Sequence, residues 1–379
     1  MSSTQPLPGA RRDWQSVADE LKRDGAGHTP ALLKALSRFE AQLGSNWPGW
    51  TSFRPLAAHF TLTFGNRPPE GVRIHGLLEE IGNEDACADI VRRLGASRWR
   101  DYQGALTEVE VIAALQRGGN LTERIRQAPG KARTADVRVK LGEQWADIEC
   151  TALMDSEPME MAHAVFSRLF SCLQCAPKLA CGVRVRFANG LRACDAFRRL
   201  AELERAALAV GVGRAPIHIS ELASVEPIQE RDAPGAVELH GGLGIGNADG
   251  PFTQLSRAVR HKLRRGQLAK GLPGILVVRT DAISFYGRGR LPLWLNAVAE
   301  RVDDCLAQTK SEISAVLVYE RWRGAQEPPL RLAGPRYTAT VASGADGWST
   351  FTLLVHNVRA RYPLAAQEAD RLVDPAMTW

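Results

Sequence analysis

Two short alternating runs flank the dipeptide Gly142-Glu143, and they constrain the fold more than any other feature of the sequence. Residues 135–141 alternate apolar side chains with charged ones, and residues 145–153 do so again after a tight link. Such a pattern predicts a hairpin, with glycine supplying the turn. A two-stranded hairpin is marginal alone, so it implies a larger sheet. Along 145–153 side chains alternate between faces, which puts Asp147, Glu149 and Thr151 on one side and Ile148, Cys150 and Ala152 on the other. One face of the sheet is then apolar and the other presents carboxylates to a cleft. Asp136 stands on the preceding strand. Two carboxylates on neighbouring strands can reach one divalent cation, because hard cations take oxygen ligands. An ion held there can activate water and offset charge on a phosphodiester.

The rest of the chain fits a mixed α/β architecture. Residues 1–12 read as a mobile N-terminus. Helices are predicted over 13–24, 30–43 and 76–94, with a short strand at 57–64, which makes 13–100 a mostly helical N-terminal domain. A helix over 106–117 ends at Gly118-Gly119. Beyond the hairpin come a helix at 159–174, a strand at 181–187, a helix at 192–210 and a strand from 217. A glycine-rich loop spans 241–250, followed by a basic helix over 254–270. A strand at 274–279, a helix at 294–308, a strand at 315–319 and a closing hairpin within 336–359 complete the chain. This order predicts a mixed central sheet flanked by helices over 101–379.

An acidic residue on a helix, an Asp on one strand and a Glu on the next resemble the core of the PD-(D/E)XK, or restriction-endonuclease-like, nuclease superfamily. The matching stretches are Thr107-Glu108-Val109-Glu110-Val111, Thr134-Ala135-Asp136-Val137 and Asp147-Ile148-Glu149-Cys150-Thr151. Arg260-His261-Lys262 with Gln267, then Ile275-Leu276-Val277-Val278, resemble a later helix and strand of some members. The resemblance spans about 102–320, but its sharp motif covers only some 45 residues. It implies hydrolysis of nucleic-acid phosphodiesters with Mg²⁺ or Mn²⁺ on Asp136 and Glu149, and Glu108 holding a second ion or its water. Glu108 is favoured over Glu110 by its spacing to Gly119. The family's lysine position is occupied by Thr151. Three explanations stay open: Lys140 approaches from the Asp strand, Glu149 itself takes the lysine position in an Asp147-x-Glu149 register, or the fold is kept for binding nucleic acid or a protein without catalysis.

Charge bears on the partner. The chain has 48 basic and 42 acidic residues, net +6, with a pI near 9.0; eight of the basic residues are lysine and forty arginine. That balance permits an anionic partner. The basic helix carries Arg257, Arg260, Lys262, Arg264 and Arg265 beside an apolar stripe of Leu255, Ala258, Val259, Leu263 and Leu268, and those cations are the expected nucleic-acid contacts. DNA is the expected partner, with RNA left open.

Other chemistries find no support. Cys172, Cys175 and Cys181 match the spacing of the superfamily's iron–sulfur branch, with Cys87 as an upstream fourth, but two of them fall on a predicted helix among Phe166, Leu169 and Leu173. Packing as small hydrophobes is the favoured reading, so no cluster is expected. The glycine loop lacks Lys-Ser/Thr and has the wrong spacing for a dinucleotide fingerprint. No Gly-x-Ser-x-Gly elbow occurs, and His163, His218, His240 and His261 lack metal-ligand spacing. Without a long apolar run, no membrane span is expected. The polar start and seven cysteines suggest a reduced, cytoplasmic protein. Oligomeric state stays open.

Overall fold

The computed structural model describes residues 15, 18–19, 29–44, 56, 70–82, 84–96, 99–125, 135–153, 157–174, 176, 179–228, 237–241, 243, 251–265, 268, 271–280, 291–307, 311–323, 330–334, 336–343 and 348–374. In chain order its elements are α1 (Thr29–Leu43), α2 (Glu70–Ile81), α3 (Glu84–Leu94), α4 (Trp99–Arg117), β1 (Leu121–Arg124), β2 (Val137–Leu141), β3 (Gln144–Ala152), α5 (Glu157–Gln174) and β4 (Gly182–Phe187). There follow α6 (Ala193–Arg198), α7 (Leu200–Gly213), β5 (Ile217–Ile219), β6 (Ala223–Ile228), β7 (Val237–His240), α8 (Pro251–Arg265) and β8 (Gly274–Arg279). The last are α9 (Leu291–Leu306), β9 (Ile313–Arg323), β10 (Leu330–Ala333), β11 (Tyr337–Ser343), β12 (Trp348–His356) and α10 (Ala366–Arg371). The expected segments 1–12 and 57–64, and most of 13–24 and 241–250, lie outside the described residues.

The chain forms two compact units that alternate along the sequence. The first takes Met1–Arg73, Gly95–Trp99 and Asp155–Ala248; the second takes Ile74–Leu94, Arg100–Met154 and Asp249–Trp379.

The second unit contains a mixed eight-stranded sheet in the order β1-β2-β3-β8-β9-β12-β11-β10. The strands β3, β8 and β9 run parallel, and antiparallel strands flank them on both sides. A parallel strand with helices over both faces is largely apolar, and every residue of β8 is buried, its last, Arg279, in an ion pair with Glu110. On one face, Leu276, Val278, Val316, Val318 and Phe351 pack beneath Leu255 and Val259 of α8 and Leu295, Val298 and Val302 of α9. Tyr319 points the other way and donates to Glu110 of α4, so α4 lies on the opposite face. Hence the large sheet has helices on both sides.

The predicted turn between β2 and β3 is present. Leu141 pairs with Gln144 across Gly142-Glu143, and Gly142 has φ +59°, the sign a two-residue hairpin link needs at its first position. The helix over 106–117 begins earlier than its periodicity suggests, at Trp99, and ends where expected, with Gly118 N–H donating to Ala114 O and Asn120 N–H to Leu115 O. The single helix predicted over 76–94 is two helices. Gly82, at φ +84°, breaks the run between α2 and α3, since L side chains rarely adopt that conformation.

The first unit holds a four-stranded sheet in the order β5-β6-β4-β7, with β4 antiparallel to β6 and parallel to β7. Val183, Val185 and Phe187 of β4 pack with Leu203, Ala207 and Val210 of α7 and with Val165 and Leu169 of α5. The strand expected at 181–187 therefore exists but belongs to this separate sheet. The helix expected over 192–210 divides at Arg199 into α6 and α7.

No helix among the described residues is long and apolar enough to cross a membrane.

Candidate functional site

The hairpin register brings the two expected metal ligands together. The pairing of β2 with β3 begins at Val137 opposite Ile148, and Asp136 sits in a bend just before that strand. Asp136 N–H donates to Ile148 O at 2.9 Å, and its carboxylate accepts the Cys150 N–H at 2.7 Å. The Asp136 side chain is thereby fixed against β3 at the level of Glu149. Glu149 is itself buried, at 4% exposure.

Asp147 takes a different partner. Its carboxylate accepts from Arg138 Nε at 2.8 Å and from Nη2 at 3.3 Å, on the pair directly across the ladder. Within the described geometry Asp136, not Asp147, stands beside Glu149. The Asp147-x-Glu149 register therefore finds its first acid already held by an arginine.

Lysine reaches the acids from an unexpected direction. Lys262 of α8 extends its Nζ to Glu149 Oε1, and its side chain is only 15% exposed. By sequence Lys262 groups with the outward cations of the basic helix. It lies instead three residues after Val259 and seven after Leu255, both fully buried, and so continues the inward stripe. Arg257, Arg260 and Arg264 are exposed, whereas the side chain of Arg265 and the whole of Gln267 lie outside the described residues. Thr151 follows Glu149 by two on the same face of β3, half-buried, beside Val278 of β8.

Lys140 does not approach. It pairs with Trp145 near the turn, four residues from Asp136, or about 13 Å along an extended strand. Its Nζ lies 3.8 Å from Glu143, which is almost fully exposed.

The two glutamates of α4 point to different partners. Glu108 accepts from Arg124 Nε at 2.7 Å and from Arg93 Nη2. Glu110 accepts from Tyr319 Oη at 2.7 Å and lies 3.3 Å from both Arg279 Nε and Arg321 Nη1. Residues two apart on a helix project about 200° apart, so only one can serve the hairpin. Glu108 is that one: its charge is felt at Asp136.

Electrostatics bind the group together. Burial pushes the Asp136 carboxyl up to about 7, helped by repulsion from Glu149 and Glu108 and opposed by the Cys150 N–H and Lys262. The Cys150 thiol, buried beside the same acids, is pushed well up as well. Two carboxylates repelling each other in a partly desolvated site are a natural cation receptor. Mg²⁺ keeps several waters and takes one or two protein carboxylates with substrate phosphates, so Asp136 and Glu149 are the residues that could hold one. They do not form a closed cage: among the described residues, no group of three or more His, Cys, Asp or Glu could hold an ion.

The cysteines weighed for a cluster fall in different parts of the chain. Cys87 is buried in the second unit, while Cys172 and Cys181 are half-buried in the first, with Cys181 Sγ 3.4 Å from Val210 O. Cys175 lies outside the described residues.

No protein-family model matches the sequence, and no curated protein matches it.

Proposed function

We propose that this chain is a metal-dependent nuclease with a restriction-endonuclease-like core whose lysine is delivered by helix α8 instead of strand β3. The observation that carries the reading is the ammonium of Lys262 against Glu149, with the Asp136 carboxylate on the neighbouring Cys150 N–H. Thr151 left the expected motif without its cation; Lys262 supplies one on the same carboxylate from 113 residues further along the chain. Only eight lysines occur in 379 residues, which makes a half-buried one at this point the more telling.

The residue roles follow from chemistry. Asp136 and Glu149 would hold Mg²⁺ or Mn²⁺, and such an ion supplies charge neutralisation and water activation at a phosphodiester. Lys262 would sit beside that charge and stabilise the negative charge gathering on the phosphate as the attacking oxygen arrives. Thr151 would line the pocket floor and carry no charge. Exposed Arg257, Arg260 and Arg264 of α8 would follow the phosphate backbone, drawing nucleic acid toward the same helix that carries Lys262. DNA is the first substrate to try.

The test is nicking of supercoiled plasmid by the full chain in Mg²⁺, Mn²⁺ or EDTA. Cleavage should need metal and vanish in Asp136→Asn and Glu149→Gln. Lys262→Met should lose about 100-fold or more, the scale of removing one transition-state donor. Adding Thr151→Lys to Lys262→Met should restore part of the rate, a rescue that a purely structural lysine would not give. Plasmid binding without cleavage in any metal would overturn the enzyme and favour an inert binding protein; cleavage by Lys262→Met at the wild-type rate would remove the lysine from the mechanism.

A further inference from the structure

We propose that Arg93 and Arg124 withhold Glu108 from the cation, so that the site takes one divalent ion and not two. The inference rests on the nuclease reading above, since the ion in question is the one on Asp136 and Glu149. The sequence resemblance implies a second ion, or its water, on Glu108. The geometry assigns that carboxylate another task.

Both oxygens of Glu108 are engaged. Oε1 accepts from Arg124 Nε at 2.7 Å, and Oε2 accepts from Arg93 Nη2. The Glu108 side chain is 4% exposed, so these guanidiniums take the place of its water. They arrive from separate elements, Arg93 from the last turn of α3 and Arg124 from the end of strand β1. Arg124 also reaches Asp89 Oδ2, and Arg93 Nη2 lies 3.7 Å from the same oxygen. Two arginines and two acids sum to zero formal charge. Glu149, by contrast, meets the ammonium of Lys262, and the Asp136 carboxylate accepts the Cys150 N–H.

Chemistry points the same way. A guanidinium presents several donors in a rigid fork and stays charged at any working pH, so it does not give way as a titrating lysine would. A second ion on Glu108 would have to break two charge-assisted bonds to a desolvated carboxylate before gaining its own. Arg93 and Arg124 are therefore positioning residues that set the ion count through Glu108. The clamp also ties α3, α4 and β1 together behind the hairpin.

The experiment is a Mn²⁺ titration of the full chain by calorimetry, with free-ion counting by electron paramagnetic resonance, in salt high enough to screen surface carboxylates. Wild type should bind one Mn²⁺. Glu108→Gln should also bind one, with its dissociation constant within about threefold of wild type. Asp136→Asn should lose the ion. The double variant Arg93→Gln/Arg124→Gln, with Glu108 released, should bind a second. Two ions in wild type, falling to one in Glu108→Gln, would overturn the inference and leave the nuclease reading standing. No ion in wild type would overturn that reading and this inference with it. Circular-dichroism melts identify any variant that fails to fold, and the wild-type count decides the question by itself in that case.

Discussion

Asp136 is the residue at which burial and neighbouring acids converge, and its protonation makes a stability prediction. Burial and the neighbouring Glu149 and Glu108 raise its folded-state pKa to about 7, from an ordinary carboxyl value of 3.8. The folded chain then holds a proton that the unfolded chain releases, so this group's contribution to stability is complete below about pH 4 and is lost as the pH rises toward 7. The slope within that window is bounded by about 1.4 kcal/mol per pH unit. Asp136→Asn cannot ionise, and its amide oxygen can still accept the Cys150 N–H. Urea unfolding in EDTA should therefore show Asp136→Asn gaining on wild type from pH 4.5 upward and levelling off above about pH 7. A constant difference across that range would mean Asp136 is charged throughout. Saturating Mn²⁺ should abolish the difference in slope by favouring the carboxylate. Glu110 makes the opposite prediction. Its carboxylate joins Tyr319, Arg279 and Arg321 in a buried ionic group away from the hairpin. Glu110→Ala should cost about 3–5 kcal/mol, because it strands buried charge, while Tyr319→Phe should cost about 1–3 kcal/mol for one lost donor to a charged acceptor.

Helix α8 serves two roles on two faces. Leu255 and Val259 anchor it to the large sheet, Lys262 prolongs that face to Glu149, and Arg257, Arg260 and Arg264 form a stripe at spacings of three and four residues. If the stripe tracks a phosphate backbone, each arginine releases about one counterion from duplex DNA. Changing all three to Gln should then lower the slope of log affinity against log salt by about 2.7, read by fluorescence anisotropy. An unchanged slope would make the stripe a solvated face. How much of this element was legible varies by residue. The helix and its apolar stripe follow from periodicity, but Lys262 sits in a run of five cations and reads as one more of them. Extending the stripe from Leu255 through Val259 by another three residues was the signal that singles it out. The hairpin was fully legible, because a period of two and a glycine turn are local. The placing of Asp136 beside β3 was legible too, although it falls in a bend just before β2 and not on the strand. The split of 76–94 at Gly82 and of 192–210 at Arg199 was not, since apolar periodicity continues through both breaks. The clamp on Glu108 was also hidden: Arg93 and Arg124 are 15 and 16 residues from it, and among forty arginines nothing local marks them.

The order of the whole chain explains why the lysine is so far from its carboxylate in sequence. After β3 the chain leaves the large sheet, builds most of the first unit over residues 155–248, and returns as α8. Helix α8 then precedes β8, the parallel neighbour of β3, so a single return brings in both the next strand and the Lys262 amine. Strand pairing is non-local here, and composition offers no hint that 181–187 joins another sheet. Each unit has its own apolar core, Val183, Leu203 and Val210 in one and Leu276, Val316 and Phe351 in the other. A ligand that binds only the folded second unit should therefore protect that unit selectively. At a hundred times its dissociation constant, one ion adds about 2.7 kcal/mol to the stability of whatever must unfold to release it. Hydrogen exchange followed by mass spectrometry, with and without Mn²⁺, should show slowed amides in β2, β3 and α8 of the wild-type chain. Amides of β4, β6 and α7 should exchange as before. In Asp136→Asn the protection should disappear from all three elements together, because α8 gains it only through Lys262 and the shared carboxylates. Protection of β3 without α8 would separate the ion from the lysine, and would return Lys262 to the role of a buried counter-charge that holds the helix on the sheet.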